Sequence, residues 1–223
     1  MKLVLVFFIL SFVMVSFFSV QKVSAATQPT WWQVQSVDTM KYSRDASREM
    51  LNNPQFETLI NDQVSQIASV GATHIAIATP YDKEFLPVLK LWVNAARKYK
   101  LKVWFRGNWS GWEGWFGYAK IDRKQHLDST SQFLSENPTL FEDGDIFSAC
   151  PECENGGPGD PRRTGDVQGH RQFLIEEYQL TKQAFAKMNK KVMSNVLSMN
   201  GDIALLIMDK DTTQKLDGIV AVD

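Results

Sequence analysis

The sequence predicts an α/β fold: a (β/α)8 TIM barrel, truncated after about six strands. Apolar strand-like runs alternate with amphipathic helical stretches, the pattern of strand-helix-strand units with parallel strands. Several of these runs are apolar or small throughout, as in Ile75-Ala76-Ile77-Ala78 and Ile219-Val220-Ala221-Val222, which suits strands covered on both faces. The first strand-to-helix turn carries no glycine-rich phosphate fingerprint, and the bulky polar and aromatic insertions all follow strand ends, where barrels keep their sites. A finished small open sheet is the competing arrangement.

The strand candidates, in order, are Trp32 to Met40, Ala72 to Thr79, Leu101 to Arg106, Asp145 to Ala149, Lys191 to Leu197 and Gly218 to Val222. Asn53-Pro54 should open the first helix, with Phe56, Leu59, Ile60, Val64 and Ile67 on one face and Gly71 as a stop. A second helix carries Phe85, Val88, Leu89, Trp92, Val93 and Ala96, and a third runs from about Asp122 until Asn137-Pro138 breaks it. The fourth starts near Asp166 and buries Leu174, Tyr178, Thr181, Phe185 and Met188; a weaker fifth stretch lies between Asp202 and Lys215. Because the chain stops at Asp223 on its sixth strand, roughly two strand-helix units are expected beyond it.

Lys2, the apolar run Leu3 to Val20 and the polar stretch Gln21 to Ala25 together read as a signal peptide covering residues 1–25, with the barrel domain in residues 26–223. The competing reading is a membrane anchor, but Val23 and Ala25 stand where a signal peptidase would read them. The expectation is therefore a secreted or extracytoplasmic protein, off the membrane after cleavage and monomeric. Its formal charge of −1 includes no basic patch, which removes the electrostatic case for a nucleic-acid partner. Cys150 and Cys153, the only cysteines, are free to oxidise after export. With only His74, His126 and His170 besides, none at ligand spacing from another, no metal site is expected, and no cofactor either.

Two loops hold the candidate site. After the fourth strand comes Cys150-Pro151-Glu152-Cys153-Glu154-Asn155, followed by a glycine- and proline-rich run to Arg163. It brings two carboxyls to the strand ends, where partial desolvation can keep one protonated near neutral pH. After the third strand comes Arg106-Gly107-Asn108-Trp109-Ser110-Gly111-Trp112-Glu113-Gly114-Trp115-Phe116-Gly117-Tyr118. Its glycines offer the rings no helix or strand on which all could be buried, so Trp109, Trp112 and Trp115 are expected to stack on a sugar while Arg106 and Asn108 bond its hydroxyls; the competing reading for any one of them is a local cluster of rings under the loop. His74 reads as a satisfied core histidine, and the charged residues after the first strand, Asp38 to Asp45, as solvated or structural.

Strand-helix alternation, tryptophan-rich loops, export and a glutamate closing strand four together resemble the superfamily of barrel-fold glycoside hydrolases. The resemblance implies a retaining, two-carboxylate hydrolysis of a polysaccharide or oligosaccharide, with Glu152 as acid/base, Glu154 in reserve, and Asn155 among the substrate contacts. It places the nucleophile on a seventh strand beyond Asp223, so this chain by itself should be inactive. The usual asparagine directly before the acid is missing, since Pro151 precedes Glu152 and Cys153 precedes Glu154. The alternative is a non-catalytic secreted carbohydrate-binding protein; a nucleotide-dependent enzyme is disfavoured by export and by the lack of a phosphate loop.

Overall fold

A computed structural model describes residues 34–198, 201–217 and 220–222. The expected signal peptide and Trp31-Trp32 lie outside the described residues. Six strands are present: β1 (Ser36–Asp38), β2 (His74–Ile77), β3 (Lys102–Phe105), β4 (Ile146–Ser148), β5 (Met193–Ser198) and β6 (Val220–Val222). They pair in the order β1-β2-β3-β4-β5-β6, every pair parallel. Sequential order with crossovers of one hand puts all helices on one side of the sheet, which is the winding of a (β/α) barrel and not of a doubly wound sheet.

The register separates two faces. Ile77, Phe105, Phe147 and Ser194 form one row, and all four are buried. This row lies under the helices: Phe147 packs against Phe133 and Phe185, and Phe105 against Phe141. The adjoining row, Asp38, Ala76, Trp104, Ile146 and Met193, points away from the helices. Asp38 and Met193 on it are exposed and Trp104 is half-buried, so this inner face is less apolar than the outer one.

The helices form where the pattern predicts them. α3 (Gln55–Ser69) is opened by Asn53, whose Oδ1 accepts from the Gln55 N–H at 3.0 Å, and it buries Phe56, Ile60 and Val64. α4 (Leu86–Lys98) buries Val88, Leu89, Trp92, Val93, Ala95 and Ala96. α6 (Arg123–Glu136) carries a capping box, Asp122 with Gln125, and ends at Asn137; after the short α7 (Pro161–Thr164), α8 (Val167–Lys187) is capped by Asp166.

Two differences stand out. The first strand stops at Asp38 instead of reaching Met40, because the chain turns at once into α1 (Met40–Asp45) and α2 (Ser47–Met50), with the Asp38 carboxylate accepting from the Met40 N–H. The weak fifth helical stretch divides into α9 (Gly201–Ile207) and α10 (Lys210–Lys215), the second capped by Asp209. His74 is buried as expected, its ring bonded to Thr73 Oγ1 and the Gly144 carbonyl oxygen.

Asp145, fully buried just before β4, holds the sheet's amino edge together. Its carboxylate takes both terminal nitrogens of Arg97 in α4, at 2.8 and 2.5 Å, and the backbone N–H groups of Val103 and Glu142. Removing one partner from such a pair strands a charge in the interior, at a cost of about 3 kcal/mol or more. Arg97→Met is therefore expected to lower the urea midpoint by the equivalent of about 3 kcal/mol at unchanged m-value, measured by denaturant titration.

Candidate functional site

The carboxyl ends of β1, β3 and β4 converge on the guanidinium of Arg106. Arg106 follows β3 directly, and its backbone N–H continues the ladder to the Ile77 carbonyl. Its side chain, only 6% exposed, donates from Nη1 to Asp38 Oδ2 at 3.2 Å, sets Nη2 at 3.9 Å from Glu152 Oε1, and lies over the Trp104 ring. An open pocket of about 460 Å³ runs beside it, lined by Asp38, Thr39, Met40, Lys41, Tyr42 and Glu152. Below, Trp104 Nε1 donates to Ser148 Oγ, and Ser148 Oγ donates to Asn195 Oδ1, a polar rung across three strands of the inner face.

The loop after β4 is closed by the disulfide Cys150–Cys153, with Cα atoms 5.1 Å apart. The tight ring holds Glu152 in the left-handed region at φ 51°, so its partly exposed carboxyl leans toward Arg106. Asn155 is exposed and donates from Nδ2 to Glu152 Oε2 at 3.3 Å. Glu154, by contrast, is 2% exposed.

The tryptophans require a correction. Ser110 to Glu113 form a short helix, α5, ended by Gly114 at φ 77°, and this turn gives the rings an element from which to be buried. Trp109 is in the core, edge-on to Phe133, with its Nε1 donating to Thr130 Oγ1. Trp112, 2% exposed, stacks on Phe173 at 5.0 Å and donates to the Cys153 carbonyl. The β4 loop lies directly on it: a Cβ on Gly156 would stand 2.4 Å from the Trp112 carbonyl oxygen. Neither ring can face a sugar. Trp115 alone of the three stays half-buried, beneath the Arg44 guanidinium. Asn108 is fully buried and Tyr81 sits in the core, its hydroxyl on the Ser148 carbonyl.

One partly buried carboxyl had no role in the sequence reading. Glu113, at the end of α5, accepts a 2.8 Å hydrogen bond from Asn108 Nδ2. Burial pushes its carboxyl up to about 7; the Asn108 bond and Arg44 pull it down, while Glu152 and Glu154 push further up. The only hint in the sequence was a lone acid inside an aromatic, glycine-rich loop. Asp38, expected to be merely solvated or structural, also belongs to the site. Among the described residues no cluster of three or more His, Cys, Asp or Glu side chains could hold a metal ion, and no helix is long and apolar enough to cross a membrane.

No protein-family model matches the chain, and no curated protein sequence matches it. The chain is similar to a solved structure of D-psicose 3-epimerase with D-tagatose from Clostridium cellulolyticum H10, at 15% identity and a TM-score of 0.47, over 85% of this chain and 62% of that one. It thus spans less than two thirds of that protein's length. The expected membership of the barrel-fold glycoside hydrolases, and with it the hydrolytic role given to Glu152 and Glu154, is corrected: no family model supports it, and the solved structure is named an epimerase, not a hydrolase. The motif behind that expectation was Pro151-Glu152-Cys153-Glu154-Asn155 alone, in which neither glutamate follows the usual asparagine. The likeness is too distant to carry an activity over to this chain.

Glu113 also makes stability depend on pH. Its folded pKa lies above the unfolded value of 4.5, so the native state keeps a proton that the unfolded chain releases, and stability falls as pH rises from about 4.5 to about 7. Glu113→Gln keeps an acceptor for Asn108 and removes the titration. Urea denaturation should find it no less stable than the parent at pH 5 and more stable at pH 8, by up to about 3 kcal/mol.

Proposed function

We propose that this chain binds a neutral polyhydroxylated ligand of the carbohydrate class at the carboxyl ends of β1, β3 and β4, and that Glu113 exchanges a proton with it. The reading is supported by the mix of groups there. Arg106 offers planar donors, Asp38 and Glu152 offer acceptors, and Tyr42 and Trp115 are half-buried rings at the same end. Hydroxyl groups both donate and accept, so a ligand rich in them suits a site that mixes acids with a guanidinium better than a simple anion does.

The observation that carries the reading is where Glu113 stands: partly buried at the end of α5, held by Asn108 Nδ2 at 2.8 Å and acted on by Glu152 and Arg44. A carboxyl that titrates near pH 7 is populated in both forms at neutral pH, so it can take a proton from a ligand atom and return it. The disulfide in the adjoining loop is compatible with an oxidising, extracytoplasmic setting, and a monomer bound to no membrane or nucleic acid is part of the same proposal.

Saturation-transfer NMR against a panel of neutral mono- and oligosaccharides tests the binding, and at least one member should bind. Arg106→Ala should weaken it about tenfold or more, as loss of a charged donor would. Calorimetry at pH 7 in buffers of different ionisation enthalpy should show net proton transfer on binding, absent in Glu113→Gln. A silent panel, or full affinity in Arg106→Ala, would overturn the site; binding without proton transfer would overturn the role of Glu113.

A further inference from the structure

Behind Glu113 lies a buried pair that the ligand site does not touch. His126 of α6 is fully buried, and its Nδ1 is 2.5 Å from Oε1 of Glu177 in α8, whose side chain is 3% exposed. Thr130 Oγ1 lies 3.5 Å from the same Nδ1, and Trp112 and Phe173 close around the imidazole edge-on. On the other side of the ring, Nε2 faces Asn108 Oδ1 at 3.0 Å. Asn108 then reaches Glu113 through Nδ2, with the Cys150 sulfur 3.8 Å from the same nitrogen.

The direction of this chain follows from one unambiguous donor. The Trp109 peptide N–H meets the Asn108 side chain at 2.8 Å, and since an N–H can only donate, the amide atom there is the oxygen. The Asn108 nitrogen therefore points at Glu113, where it can only donate. For His126 Nε2 to meet the same amide oxygen attractively, it must carry a hydrogen. That leaves the space between Nδ1 and Glu177 with one proton, whether it sits on the ring or on the carboxyl.

We infer that the His126–Glu177 pair is a positioning device: by keeping a hydrogen on Nε2 it joins the Trp109 N–H in locking the Asn108 amide with its nitrogen toward Glu113. This rests on the reading of Glu113 as the proton-exchanging group. Without the Glu177 carboxyl, the neutral ring is free to take the other tautomer, Nδ1–H toward Thr130 Oγ1. A bare Nε2 would then repel the Asn108 oxygen, leaving the amide held by the Trp109 N–H alone, and Glu113 would lose a firmly aimed donor. The charged groups acting on Glu113 are Glu152, Glu154 and Arg44, none of which belongs to this buried pair.

The test reads tautomer and titration, not ligand binding, so it can fail separately from the proposed function. In the unmodified protein, ¹⁵N–¹H correlation of the His126 ring should show Nε2 protonated from pH 5.5 to 8.5; a bare Nε2 would overturn the inference. In Glu177→Leu, the Glu113 midpoint followed by carboxyl ¹³C shift should rise by roughly one pH unit, the effect of losing a hydrogen bond to a charged group. Glu177→Gln can still donate to Nδ1 and should restore the parent midpoint. An unchanged midpoint in folded Glu177→Leu overturns the inference. Should that variant not fold, a midpoint in Glu177→Gln displaced by as much as roughly one unit would do the same.

Discussion

A single buried carboxylate sets the frame from which the site hangs. Asp145 gathers the Arg97 guanidinium from α4, the Val103 N–H at the start of β3 and the Glu142 N–H of the approach to β4. An ionised group at 0% exposure persists only if each oxygen is met, and here four donors from three segments meet it. Meeting them fixes where β3 starts relative to β4. With that register set, Arg106 and the disulfide loop emerge at one end of the sheet, and Arg106 comes to lie between Asp38 and Glu152.

The helix-covered face depends on aromatic packing. Tyr81, Phe133, Phe147 and Phe185 stand in successive contact from the β2 end to α8, tying α6 and α8 to the sheet. Trp109 and Trp112 extend this cluster upward into the loop after β3, and the glycines of the β4 loop let that backbone press onto Trp112. The rings that looked like ligand contacts instead support the shelf on which Glu113, Asn108 and Glu152 are held. Large apolar area is worth more under a loop than in water, and so these indoles go inside.

Local chemistry was well written in the chain. Asn53 turns the chain into α3, Asp122 and Asp166 cap α6 and α8 where the pattern predicts, and the near-continuous apolar runs do form parallel strands. These features depend on residues within a few positions of each other. The turn into α1, the burial of Trp109 and Trp112 and the importance of Glu113 do not: each depends on what a distant segment places alongside. Glu113 titrates near 7 because it is buried and because Glu152 and Glu154, some forty residues on, share its surroundings.

Period, capping and apolar continuity, then, were enough by themselves to determine an alternating α/β chain with parallel strands, and the polar and aromatic insertions after strand ends pointed to a barrel with candidate loops after β3 and β4. Only the tertiary structure decided which side chains of those loops gather at the carboxyl ends of the strands and which are core. It exchanged two tryptophans for Asp38 and Glu113, and it joined Asn108 to His126 and Glu177 from two different helices. The reason is physical: strand and helix periods are local, whereas burial, ion pairing and the proton held by a carboxyl are set by neighbours brought together from far along the chain.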